Sequence, residues 1–526
     1  MTSAHSASLW RSLASAGTKT TAEALDADDF QRMHVSTSLD AFIERKVREG
    51  FSIVLTGNAG DGKTHLLRHI APALQGTGAV VITDATASMT GGQATMLLDV
   101  WRKANSEGRP FCIAANEYPL YQLRQVGADF GPVAEVSRQC RDRLAYSDQP
   151  VTGEEARHGV LVIDLSLRNP LAPTFASCIF DALIADAPVN DGAPGTGIVA
   201  ARNAERLRDP RVRQRLDDLL RSLIARGRRA TIRELWIVAA QMIYGSGETR
   251  DYQMADWYSE AFFTRDARFD LTGATQDVDP AACSNPALDD RLEMRDRSLQ
   301  EGWFLGEPIG LPPHPVLPSD AFSALKRRFY FEHQRGMEVF ALADPDATEF
   351  KALLSRDRSA RQVTGELVDA LNAAYCPVAF SGRVEHLYLW SGHRFHEQPS
   401  RAYVAAQRVS TDDLQVTVPR LPSRLSGAFE YEPDHLALVA SHDGHKTRLH
   451  VDFPLFRSLR RLTRGLPRKL VPERDVHRID AFIERLSPMS PAEPRTLWSV
   501  HVENLEVLEV TLSADKRRYD EVRRRG

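Results

Sequence analysis

The chain has 526 residues, more than one hydrophobic core ordinarily supports, so about two to four domains are expected. Its 66 basic and 70 acidic residues nearly balance, which excludes a protein that coats nucleic acid over its whole surface but leaves room for a local basic groove. Apolar content of 43% is ordinary for a globular chain, and no apolar run reaches the roughly 20 residues needed to span a bilayer, so no membrane association is expected.

In chain order, residues 1–38 are rich in Ser, Thr and Ala and read as a flexible N-terminal arm. Met1 to Trp10 lacks the basic-then-apolar plan of a secretory signal, which makes a cytoplasmic location the expectation. The five cysteines, Cys112, Cys140, Cys178, Cys283 and Cys376, form no C-x-x-C pair and read as reduced thiols. Leu39 to Arg48 has helical spacing of Phe42, Ile43 and Val47, and the apolar run Phe51 to Leu55 follows it as a strand.

That strand leads into Gly57-Asn58-Ala59-Gly60-Asp61-Gly62-Lys63-Thr64, which fits the P-loop pattern G-x-x-x-x-G-K-[ST], and Lys63 to Leu74 leaves it as a helix. Phosphate oxygens are held by backbone N–H groups, so the loop must curl closely, and glycine permits this. In this reading the stretch from Gly57 through His65 binds nucleotide, Lys63 reaches the β- and γ-phosphates, Thr64 places its hydroxyl on Mg²⁺, and the helix N-terminus adds partial positive charge.

Further strands are expected at Ala79–Asp84, Phe111–Glu117 and Gly159–Asp164, with helices between them. Such alternation predicts an α/β P-loop NTPase fold, a parallel sheet with helices on both faces, whose ligand lies beyond the carboxyl ends of the strands. From Pro210 the texture turns to arginine-rich helices, with Val212, Leu216, Leu219, Leu220, Leu223 and Ile224 on one stripe. Thr231 and Glu234 have capping-box spacing at the start of a second apolar helix. The expected division is an arm over 1–38, an ATPase core over 39–200, a helical lid over 201–250, a mainly helical region over 251–380 and a C-terminal α+β domain over 381–526. In that last domain Glu385, His386, His393 and His396 are the one tempting metal cluster, but their spacing matches no standard zinc pattern.

Three strand ends offer a carboxylate for the metal or the attacking water. By strand count, Asn116-Glu117 stands where an Asp-Glu pair is expected, with Glu117 as the base that polarises water. By residue type, Val160 to Asp164 fits the metal-binding strand better, with Asn116 as a polar sensor near the γ-phosphate, and Asp84 is the third candidate. Arg233 opens the second lid helix and is the expected γ-phosphate arginine, while Arg202, Arg206 and Arg208 are candidates for a finger reaching a neighbouring subunit.

The wording Thr56 to His65, with Ala114-Ala115-Asn116-Glu117 and Thr231 to Leu235, resembles AAA+ or AAA-like ATPases of bacterial anti-phage and restriction systems, most of all the phosphorothioation-dependent restriction ATPases. The resemblance covers about 39–245 and implies an ATP-driven switch or motor that self-associates or works with protein partners of a defence complex acting on or sensing nucleic acid. A nucleotide-sensing scaffold with little hydrolysis and a P-loop small-molecule kinase are the alternatives. No N/T-K-x-D guanine-reading sequence is present, so ATP is the expected nucleotide. DNA or RNA contact would use Arg457, Arg460, Arg461, Arg464, Arg468 and Lys469, and the tail Lys516, Arg517, Arg518, Arg523, Arg524 and Arg525.

Overall fold

The structure is a computed structural model, describing residues 9–15, 25–85, 93–146, 156–188, 198–245, 257–263, 270–294, 296–299, 301–306, 319–340, 344–377, 380, 383–391, 402–429, 431–442, 445–487, 496–501, 507–513 and 519–525. The helices of the first half are α1 (residues 9–15), α2 (Ala27–Arg32), α3 (Ser38–Arg48), α4 (Lys63–Gly76), α5 (Gln93–Ser106), α6 (Glu117–Val126), α7 (Gly131–Arg141), α8 (Pro173–Asp186), α9 (Ile198–Arg208), α10 (Pro210–Ala225) and α11 (Ile232–Tyr244). Among them run four strands, β1 (Ser52–Thr56), β2 (Val80–Ile82), β3 (Phe111–Ala114) and β4 (Val160–Asp164), in an all-parallel sheet of order β2-β3-β1-β4.

Strands β1, β3 and β4 are apolar in their middles and buried along their length because both faces of the sheet are covered there, while β2 at the edge is half-buried. Ile53 and Leu55 of β1 pack with Leu66, Leu67 and Ile70 of α4 and Phe42 of α3. Val54 points the other way, into a cluster with Leu98 and Trp101 of α5, Leu123 of α6 and Val136 of α7. The order explains this division: β1 connects towards β2 while β2 and β3 connect back, and right-handed crossovers then put α4 opposite α5 to α7. The switch of direction falls between β1 and β3, the place where open α/β sheets leave a crevice at their carboxyl edge.

The N-terminal segment differs from the flexible arm expected for 1–38. Trp10 of α1 stacks on Trp236 of α11 with ring centroids 5.2 Å apart, and its indole N–H donates to Asp186 Oδ2 at 3.1 Å. Leu9, Leu13 and Phe30 are buried in the same helical core. Few apolar residues were enough here because a groove between α8 and α11 receives them, which composition alone could not reveal. Residues 1–8 and 16–24 lie outside the described residues.

The expected lid is likewise no separate body. A single apolar cluster runs from α8 through α11 to α12 (Tyr258–Ala261), α13 (Asp270–Thr275), α14 (Pro286–Glu293) and α15 (Ser319–Glu332). Helix α11 is buried along its whole length from Leu235 to Tyr244, as a helix apolar on all sides must be. The next two helices, α16 (Pro345–Leu354) and α17 (Ala360–Ala373), contribute Phe350, Leu367 and Leu371 to the C-terminal core, so that region begins before the expected residue 381.

The C-terminal region is antiparallel. Strands β5 (His386–Ser391), β6 (Ala402–Ser410), β10 (Thr496–His501), β11 (Val507–Leu512) and β12 (Tyr519–Arg525) form one sheet of order β12-β11-β10-β6-β5, and β7 (Leu414–Thr417), β8 (His435–His442) and β9 (His445–Asp452) form a second. Helices α18 (Phe453–Thr463) and α19 (Glu473–Leu486) lay Leu455, Leu459, Ile479 and Phe482 into the core with them. The segment after β7 returns to the first half: Ala145 pairs with Arg420, and Leu425, Ala428 and Phe429 join the α3–α4 side of the parallel sheet. Among the described residues no helix is long and apolar enough to cross a membrane.

Candidate functional site

The loop from Gly57 to Gly62 joins β1 to α4 at the carboxyl edge of the sheet. Gly57, Gly60 and Gly62 have φ of 137°, 91° and 83°, where L side chains are strained. A Cβ on Gly57 would stand 2.9 Å from Asp61 Oδ2 and from the amide of Ser166, so the backbone there has no room for one. Asp61 Oδ2 ties the loop by accepting the Asn58 N–H at 2.7 Å, and the Arg233 N–H donates to Gly60 O at 3.4 Å. Lys63 Nζ donates to Gly57 O at 3.0 Å and Asn58 O at 2.6 Å. Helix α4 starts at Lys63 with no side-chain cap, which leaves its first-turn amides aimed at whatever occupies the loop.

Above the loop lies a cavity of about 290 Å³. Asp61, Lys63, Thr64, Asp84, Asn116 and Arg233 form its polar lining, from the loop, the ends of β2 and β3 and the start of α11. Met33, Val35, Phe175, Ile232 and Trp236 form its apolar lining, from the N-terminal segment and the helical body. Arg233 Nε is buried with no hydrogen-bond partner among the described residues. Burial pulls the Lys63 ammonium below the usual lysine range, against the opposing pull of Asp61, Asp164 and Asp84. Burial also pushes the Asp61 carboxyl up, with Arg229, the Asn58 amide and Lys63 acting the other way. An anionic ligand here would therefore meet positive charge that has already lost much of its water.

The three candidate acids separate. Asp84 lines the cavity beside Lys63 and Thr64, and Asn116 lies with it at the end of β3. Asp164 is buried and acts on Lys63 through space; its Oδ1 accepts the Ser166 N–H at 2.9 Å, and its Oδ2, which has no hydrogen-bond partner among the described residues, stands 3.1 Å from an Arg143 nitrogen. Glu117 is not among the residues lining the cavity; its side chain is 75% exposed and pairs with the same Arg143 at 3.1 Å. Of the three, Asp84 lines the cavity, while Asp164 acts on Lys63 more strongly than Asp84 does. Strand order alone would favour Asp164, since β4, which carries it, neighbours β1 directly while β3 lies between β1 and the strand before Asp84.

Two arginines proposed as fingers are structural. Arg202 is buried over the Trp257 ring at 4.1 Å, and Arg206 is buried against Glu332 at 2.9 Å, so neither reaches a neighbouring chain. Arg208 is exposed and donates to Ile184 O at 2.9 Å. The basic run on and after α18 is largely paired: Arg460 with Glu349 at 2.8 Å, Arg464 with Asp346 at 2.9 Å, Arg468 with Asp480 at 2.5 Å, and Arg457 with Asp344 at 3.9 Å. Arg461 and Lys469 are exposed. Arg523, Arg524 and Arg525 stand in β12, opposite Glu509, Leu508 and Val507 of β11, where a tail was expected; Lys516, Arg517 and Arg518 lie outside the described residues. Of the C-terminal metal cluster, His386 belongs to β5, and His393 and His396 lie outside the described residues.

Sequence reasoning missed the contribution of residues 25–37 to the cavity and the part played by Arg143. For the first, the signal was Thr37 with Asp40, a capping box that fixes where α3 begins and hence where the preceding residues must pass. Nothing in the sequence marked Arg143. No family model, curated protein or solved structure matches the chain.

Proposed function

We propose that the chain is a P-loop NTPase that binds ATP with Mg²⁺ and hydrolyses it to switch the position of its helical body. The observation that carries this reading is the convergence on one cavity of a glycine-rich backbone loop, Lys63, Thr64, Asp84, Asn116 and Arg233. Lys63 exchanges its loop carbonyls for β- and γ-phosphate oxygens, and the α4 amides take the remaining oxygens. Thr64 and Asp84 hold the Mg²⁺ shell, which when bound neutralises phosphate charge. Asn116 and Arg233 face the terminal phosphate, one from the sheet and one from the helical body. The apolar lining from Met33, Val35, Phe175, Ile232 and Trp236 suits an adenine ring.

Contacts to the γ-phosphate from both bodies differ between ATP and ADP, and only such a difference can shift a conformational equilibrium. Taken with the resemblance to anti-phage and restriction ATPases, this makes the chain a candidate switch or motor subunit of a defence complex that acts on or senses nucleic acid. Fluorescent Mg-ATP binding and phosphate release, measured for the unaltered chain and for Lys63→Ala and Asp84→Asn, test the first part. Loss of binding in the former and of turnover in the latter is expected, and unchanged behaviour in both would refute it. Phosphate release with and without DNA tests the second part.

One observation favours a nucleotide sensor with little turnover. Glu117, the expected base, is turned to Arg143 and solvent. Retained ATP binding with phosphate release no faster than in Asp84→Asn would select that reading.

A further inference from the structure

Behind the glycine-rich loop, three elements bring nitrogen and oxygen donors together. His34 follows α2, Asp40 lies in the first turn of α3, and His69 lies in α4 one turn after His65. The His34 and His69 rings stack at 3.5 Å with 13° between planes, and the His65 ring lies near-parallel to His34 at 5.6 Å. Asp40 divides its carboxylate: Oδ2 accepts the Thr37 N–H at 2.8 Å as part of the α3 cap, and Oδ1 stands 2.9 Å from His34 Nε2.

We propose that His34, Asp40 and His69 form a binding site for a borderline transition-metal cation of the zinc class, which fastens the N-terminal segment to α4. One donor atom from each of the three residues lies within 4.8 Å of the others. Tetrahedral zinc with bonds of about 2.0–2.1 Å needs donors about 3.3 Å apart with their in-plane lone pairs aimed at one point, so the two rings must turn out of their stack to ligate it. Water completes the fourth position.

A plain His–Asp pair accounts for His34 and Asp40 alone. It does not account for His69, whose Nδ1 is buried and has no hydrogen-bond partner among the described residues while its ring lies flat on the paired imidazole. Two imidazoles in such contact cannot both carry a proton cheaply, and the neutral ring is the form that ligates metal. The carboxylates facing the site are Asp40 and Glu44, and Arg68 is the cation nearest His65. Imidazole nitrogen with one carboxylate suits zinc over magnesium, which prefers an all-oxygen shell. The Thr37 amide already orients Asp40 from outside the site, as metal-binding carboxylates are ordinarily oriented.

This site does not depend on nucleotide binding. It fixes residues 33–37, of which Met33, His34, Val35 and Thr37 also line the cavity.

The test uses the full-length chain, stripped with chelator and free of nucleotide, titrated with Co²⁺ and then Zn²⁺. One equivalent of Co²⁺ giving the intense visible bands of a tetrahedral site, displaced by Zn²⁺, is expected. His69→Gln and His34→Asn should each weaken binding about tenfold or more, while the apo melting temperature of His69→Gln stays near that of the parent. Zinc should also slow proteolysis between residues 25 and 37 in the parent chain only. Absence of a stoichiometric tetrahedral spectrum in the parent, which needs no variant to fold, would overturn the proposal. So would a spectrum and affinity that survive both substitutions, since the metal would then sit elsewhere.

Discussion

Asp84 follows one strand and Asp164 ends another of the same parallel sheet, on opposite sides of β1, and they differ in their surroundings. Asp164 is buried with one oxygen on a turn amide and the other beside Arg143. Asp84 is half-buried and opens into the cavity that Lys63, Thr64 and Arg233 share. The difference teaches that an acid following an apolar strand is a candidate ligand only where it borders a space, and that residue type cannot tell these cases apart.

Substitutions can break or sharpen this contrast. Lys63→Ala removes the one ammonium at the loop and should lower affinity for Mg-ATP by about 10²-fold or more in a binding titration. Asp84→Asn should leave binding nearly intact and reduce phosphate release by about 10²-fold, whereas the same change at Asp164 should cost mainly stability. For Asp164→Asn the weakened turn cap and the loosened, partly exposed Arg143 together predict a loss of about 1–2 kcal/mol in denaturant unfolding. If Asp164→Asn abolished turnover while the fold held, the two acids would have to exchange roles. Glu117→Gln changes an exposed pair and should alter turnover by no more than about twofold. A thiol reagent gives the smallest readout: Cys112 on β3 is buried and its thiol is pushed up to about 12, so alkylation at pH 8 should mark exposed Cys178 and spare Cys112 until the sheet opens.

Much of the first half was legible. The continuous apolar runs of β1, β3 and β4 announced strands buried on both faces, and Thr231 with Glu234 gave the start of α11, where both bonds of the capping box form. The glycine positions declared a tight loop, and the φ values of Gly57, Gly60 and Gly62 are those such a loop requires. Sheet order was not legible, because it depends on which way each crossover travels. The docking of α1 was hidden for a related reason: Leu9, Trp10 and Leu13 gain meaning only from Trp236 and Asp186, which come more than 170 residues later in the chain. The paired arginines of α18 show the converse error, in which a basic run looks free until its acids on α16 are seen beside it.

Thr37 borders the cavity, and its hydroxyl accepts from Arg168 at 3.0 Å. The neighbouring Ser38 hydroxyl donates to Ala428 O at 3.2 Å across 390 positions of sequence, and the Arg168 guanidinium sits over the Phe429 ring at 5.7 Å. The rim of the crevice and the returning C-terminal segment are thus one mechanical joint. A tug on the ligand-side end of α3 cannot stay local, because the far half of the chain holds the same handle.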